Sequence, residues 1–123
     1  MKKFPVLFLL ALTACSDPVP AGIEPSALKK DALILDVRTP EEHQSVTLER
    51  NHWLVPLNEL DAAGFIREHK LDGSTPLYIL CRSGKRAAIA AQKFKKEGFK
   101  NVIVIRGGII AAEKAGLPVK KTP

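Results

Sequence analysis

Leu77-Tyr78-Ile79-Leu80-Cys81-Arg82-Ser83-Gly84-Lys85-Arg86 is the stretch that decides the fold. Its first four residues form a short, continuous apolar run, the pattern of a strand covered on both faces. From Gly84 to Glu97 the period changes. Ala87, Ala90, Ala91 and Phe94 then recur at helical spacing, and Gly98 stands where a helix cap belongs. The same alternation extends outward. Leu33-Ile34-Leu35 lies upstream and Val102-Ile103-Val104-Ile105 downstream, both strand-like. Trp53 to Leu57 is weaker, and Pro56 assigns it to an edge or a strand end. Pro25–Lys30 and Leu60–Glu68 are the other helical stretches. Strands alternating with helices predict an α/β fold, a parallel sheet with helices on both faces.

The chemistry is expected where the first strand of that stretch hands over to its helix. In open α/β sheets ligands bind beyond the carboxyl ends of strands, where helix N-termini direct their free N–H groups. Cys81 stands at that place, among Arg82, Lys85 and Arg86. The helix end and the cations favour the thiolate, which is the nucleophilic form. Gly84 allows a tight turn in which successive N–H groups converge on one anion. Arg82, Ser83, Gly84, Lys85 and Arg86 are therefore candidate binding residues for a small anion, and Cys81 is the candidate nucleophile. A cysteine that merely fills the end of the sheet is the alternative.

Composition narrows the remainder. The chain has 123 residues, 46% hydrophobic and 26% charged, so it holds one small globular domain. Its formal charge is +6, with 19 basic and 13 acidic residues. Without Lys2 and Lys3 the excess falls to 17 − 13 = +4, scattered and without interleaved aromatics, so no nucleic-acid partner is expected. Two cysteines, Cys15 and Cys81, make no disulfide framework. No GxxxxGK[ST] or GxGxxG sequence points to a nucleotide, and no cofactor is expected.

Met1-Lys2-Lys3 followed by Phe4–Leu12 has the charged and apolar regions of an export leader, too short to span a bilayer. Leu12-Thr13-Ala14-Cys15 resembles a bacterial lipobox. The resemblance implies a signal peptide over 1–14, a lipidated Cys15 and a tether over 15–22. The folded domain is then expected over 23–118, followed by a basic tail over 119–123. A lipid on Cys15 would hold the exported protein on a bacterial membrane, facing the periplasm.

Cys81-Arg82-Ser83-Gly84-Lys85-Arg86 resembles the active-site loop of single-domain rhodaneses, the thiosulfate sulfurtransferases. Asp36-Val37-Arg38-Thr39-Pro40-Glu41-Glu42 is similar to their D-V-R-x-x-x-E segment, and Val102 to Gly108 to the strand and double glycine after the catalytic helix. These three motifs stand in family order across roughly residues 22–116. The resemblance implies a parallel five-stranded sheet and a Cys81 persulfide that carries sulfur from a small anionic donor to a thiol or cyanide. A non-enzymatic persulfide carrier needs the same loop. A cysteine phosphatase is the weaker alternative, because those enzymes use C-x5-R whereas four residues separate Cys81 from Arg86. The chain departs from the family at Thr47-Leu48-Glu49-Arg50-Asn51-His52-Trp53, in place of G-H-I-x-G-A. A second departure is Ile109-Ile110-Ala111-Ala112, where many members place tryptophan.

Asp36 and Arg38 read as supporting, structural residues, with Arg38 pairing to Glu41 or Glu42. His43, His52 and His69 stand at no metal-ligand spacing, so no metal site is expected. Lys93, Lys95 and Lys96 read as a solvated helix end.

Overall fold

The computed structural model describes residues 20–123. Its strands are β1 (Gly22–Ile23), β2 (Leu33–Asp36), β3 (Val46–Leu48), β4 (Trp53–Leu54), β5 (Leu77–Leu80), β6 (Val102–Ile105) and β7 (Val119–Lys121). Its α-helices are α1 (Pro40–Ser45), α2 (Ala62–Glu68), α3 (Lys85–Lys96) and α4 (Gly108–Lys114). Single 3₁₀ turns occupy Pro25–Ala27 and Leu57–Glu59.

Five strands make one sheet in the order β1-β6-β5-β2-β4, and every pair in it is parallel. The three strands read from continuous apolar runs are the middle ones, as covering on both faces demands. On one face Leu35, Leu77, Ile79, Val102 and Val104 pack under α2 and α3, with Phe65, Ala87, Ala90, Ala91 and Phe94 pointing inward. Phe94 is fully buried and alone contributes about 1.5–3 kcal/mol of apolar burial. On the other face Ile34, Leu80 and Ile105 meet Ile109 and Ala112 of α4 and Leu48 of β3. The alanines of α3 let that helix lie close on the sheet, which sets its N-terminus directly beyond β5.

Several boundaries differ from the sequence expectation. Ala21 and Gly22, expected in a tether, belong to the sheet: the Val104 N–H donates to Ala21 O at 2.8 Å, and Gly22 pairs with Val104. Residues 119–121, expected in a basic tail, form an antiparallel ribbon with β3, and the Thr122 N–H donates to Ser45 O. Both misses have one cause. An edge strand of two or three residues is held by backbone bonds, which leave no apolar signature. Leu60 precedes α2, because Asp61 caps it by accepting from the Gly64 N–H at 3.1 Å. Residues 25–30 hold only one 3₁₀ turn. Residues 1–14, and Cys15 with them, lie outside the described residues, as does most of the expected tether. Among the described residues no helix is long and apolar enough to cross a membrane.

Candidate active site

Cys81 follows the last residue of β5, the central strand, and its side chain is buried. The Gly84 N–H donates to Cys81 Sγ at 2.8 Å. Gly84 is the N-cap of α3 with φ 115°, a conformation L side chains avoid, and it brings no side chain to cap the helix. The first N–H groups of α3 are thus left without a side-chain cap at the end nearest the sulfur. Burial by itself suits the packing alternative; the Gly84 bond and the open helix end favour a reactive thiol.

The opposite side of the loop is braced by α4. Ile109 N–H donates to Cys81 O at 2.8 Å and Ile110 N–H to Arg82 O at 3.4 Å. Gly108, with φ 60°, sits so close beneath that a Cβ there would run into the carbonyls of Cys81 and Arg82. The second glycine of the pair is therefore a close-approach residue. The chain's departure after it also becomes clear: Ile109 enters the core, while Ile110 is exposed beside the loop.

The candidate anion ligands divide into two groups. Arg82, Ser83 and Lys85 are exposed around the mouth of the loop. Among the described residues Arg82 and Lys85 have no ion-pair partner. Arg86 is engaged instead: its Nη1 and Nη2 donate to Glu42 Oε1 and Oε2 at 2.6 and 2.8 Å, a two-pronged fork. Hydrogen bonding from Arg86 holds the Glu42 carboxyl down at about 2, and the same bond raises Arg86 above its ordinary range. Glu42 also closes a capping box on α1, exchanging hydrogen bonds with Thr39. Arg86, expected from the sequence as an anion ligand, is placed by the structure in a fork with Glu42 that ties α3 to α1. Glu42, read from the sequence as a possible partner of Arg38, pairs with Arg86 instead, and Thr39-x-x-Glu42 is a capping-box signature.

Asp36 and Arg38, read from the sequence as supporting residues, pair with each other, and Arg38 does not pair with a glutamate side chain. Both are fully buried. Arg38 Nε donates to both carboxylate oxygens at 3.0 Å, Nη2 to Oδ2 at 2.7 Å, and its backbone N–H to Oδ1 at 3.0 Å. Its Nη1 reaches Glu42 O at 3.2 Å. A connected series of polar contacts thus runs from the end of β2 through α1 to Arg86 on α3.

The spacing argument about histidines fails for two of the three. α1 and the residue before β4 bring His43 and His52 together, Nε2 to Nε2 at 2.7 Å. His69 lies apart, its ring centroid 4.5 Å from that of Trp53 and 4.4 Å from that of Phe65.

The arrangement is a parallel α/β sheet with a cysteine just past the end of its central strand, facing a helix N-terminus that has no side-chain cap. The rhodanese-like domain model matches residues 25–115, and the chain belongs to that family. A Bacillus subtilis protein named as a sulfur carrier, YrkF, is 37% identical over 76 residues, 62% of this chain and 38% of that relative. The chain thus spans well under half of that protein. A sulfurtransferase of Allochromatium vinosum is 31% identical over 90 residues, covering 73% of this chain and 79% of its own. Among solved structures, the rhodanese-like domain from an Anabaena protein superposes with TM-score 0.68 at 19% identity, over 82% of this chain and 79% of that one. That likeness bears on the fold alone.

Proposed function

We propose that this protein is a sulfurtransferase that takes the outer sulfur of thiosulfate, or of a similar small anionic donor, onto Cys81. The Cys81 thiolate attacks the sulfane sulfur, the donor's S–S bond breaks, and sulfite leaves with the electron pair. An acceptor thiolate or cyanide then attacks the outer sulfur of the persulfide and releases the Cys81 thiolate. The observation that carries this reading is the Gly84 N–H on Cys81 Sγ at the uncapped end of α3. Donors already in place there stabilise negative charge on sulfur without reorganising. Arg82 and Lys85 meet the anionic donor at the mouth of the loop, while Arg86 and Glu42 keep α3 in register with α1.

The test is mass spectrometry of the protein after thiosulfate treatment. One added sulfur atom on the Cys81 peptide, removed by cyanide or a thiol, is the expected result. The name of the Bacillus relative supports a second reading, a carrier charged by a protein donor. Persulfide formation from a protein donor with none from thiosulfate selects the carrier. Neither product, with hydrolysis of an aryl phosphate instead, overturns both.

The lipobox-like sequence at residues 12–15 supports a lipid on Cys15 and a place on a bacterial membrane, facing the periplasm. The sheet begins by Ala21, so residues 16–20 would reach at most about 17 Å, at ~3.3 Å each. Replacing Cys15 by Ser is expected to release the protein into the soluble fraction; unchanged membrane fractionation overturns the anchor.

A further inference from the structure

His43 Nε2, His52 Nε2 and Thr47 Oγ1 form a triangle with sides of 2.7, 3.0 and 3.1 Å, contributed by α1, the residue before β4, and β3. Its outer orientation is also set. His52 Nδ1 lies 2.7 Å from Arg50 O, and a carbonyl can only accept, so Nδ1 carries the proton. Nε2 of a neutral His52 therefore presents its lone pair to the centre of the triangle. That carbonyl contact is the kind that orients histidines which bind metals. A carboxylate oxygen of Asp36 lies within 4.8 Å of both imidazole nitrogens. Arg38 already takes the carboxylate's hydrogen-bonding positions and neutralises its charge, so Asp36 is not one of the ligands.

We infer that His43, His52 and Thr47 form a binding site for a divalent transition-metal ion of the zinc class. An ion ~2.0–2.1 Å from each ligand atom sets neighbouring ligands about 2.9–3.4 Å apart, for angles of roughly 90–109°. The two sides to Thr47 Oγ1 fall inside that range and the His43–His52 side falls short of it at 2.7 Å, so the two rings must splay slightly to admit the ion. Imidazole suits zinc, copper and nickel, whereas calcium and magnesium demand a cage of oxygens that is missing among these residues. All three ligand residues are half-buried, which leaves water to complete the coordination. Binding requires the His43 proton to move from Nε2 to Nδ1, because the 2.7 Å contact leaves the His52 lone pair facing His43 Nε2.

The site has a structural consequence distinct from sulfur chemistry. It would clamp α1, which carries Glu42, to the β3–β4 segment. The inference does not rest on the proposed transfer reaction and stands or falls separately.

The test is calorimetric titration of zinc chloride into untagged full-length protein carrying Cys15→Ser and Cys81→Ser, which removes both thiols as competing ligands. One equivalent of zinc is expected, weakened at least tenfold by His43→Gln and by His52→Gln, and less by Thr47→Val. Imidazole nitrogen NMR of the protein with unaltered histidines gives a second readout should a variant fail to fold. Zinc is expected to move the Nε2 signals of His43 and His52 and to leave His69 in place. Zinc affinity unchanged by both substitutions, or imidazole signals unmoved at saturating zinc, overturns the site and leaves a hydrogen-bonded pair.

Discussion

Two loops follow neighbouring parallel strands at the same end of the sheet, and each holds an arginine close behind its strand. After β2, the Asp36–Arg38 loop is closed: the ion pair is fully buried, and Arg38 spends its donors on Asp36 and on the Glu42 carbonyl. After β5, the Cys81–Arg86 loop is open: its sulfur accepts one N–H, and Arg82 and Lys85 face solvent. Charge type does not separate the closed loop from the open one. Saturation does. Where every donor has an internal partner the charges hold the fold, and where donors are left over they can hold a ligand.

The contrast is broken most completely at the sulfur. Cys81→Ser is expected to abolish persulfide formation and turnover while leaving the thermal transition nearly unchanged, since the swap is almost isosteric and the hydroxyl a poor nucleophile. A serine variant with normal turnover removes Cys81 from the mechanism. The closed loop should answer in the opposite way. Asp36→Ala strands a buried guanidinium and is expected to cost about 3–5 kcal/mol of folding stability in urea denaturation. A loss below about 1 kcal/mol would mean the pair is not saturating that loop.

Arg82→Ala combined with Lys85→Ala should lower kcat/KM for thiosulfate about 10–100-fold, at 1.4 kcal/mol per decade, without altering stability. Those charges are exposed and are expected to act on the donor alone. An unchanged kcat/KM leaves the backbone N–H groups as the whole anion site.

The smallest effect concerns the residue that joins the two loops. Glu42 has its carboxyl at about 2 in the folded chain, against an ordinary 4.5, chiefly through its hydrogen bond from Arg86. Its folded value is depressed, so the stability it contributes is fully present above pH 4.5 and is lost as pH falls toward about 2. The pair is partly exposed, so the gap between the protein and Glu42→Gln should be about 1 kcal/mol near neutrality. Urea melts from about pH 6 down to about pH 2.5, with chelator present, check that the gap closes on acidification. A gap constant across that range removes the ion pair as its cause.

Legibility followed the range of the interaction. The strand Leu77–Leu80 and the helix Lys85–Lys96 were readable because hydrophobic period is a local property, and the loop between them inherited its place from the two. The fork between Arg86 and Glu42 joins residues 44 apart, and no pattern at either end announces it. The close approach of Gly108 to the Cys81 carbonyl is likewise a meeting of two loops. The ribbon of β3 with β7 was hidden because backbone pairing accepts lysines as readily as valines when the side chains face water.

By itself the sequence determined that this chain makes a parallel α/β sheet and that Cys81 stands at a strand-to-helix junction, since apolar periodicity and glycine placement are read over a few residues. Only the tertiary structure decided which cations are spent and which remain, because hydrogen-bond saturation depends on partners distant in the chain. It alone also brought His43 and His52 within 2.7 Å, since a ligand set drawn from a helix, a strand and the entry to another strand has no fixed spacing along the sequence.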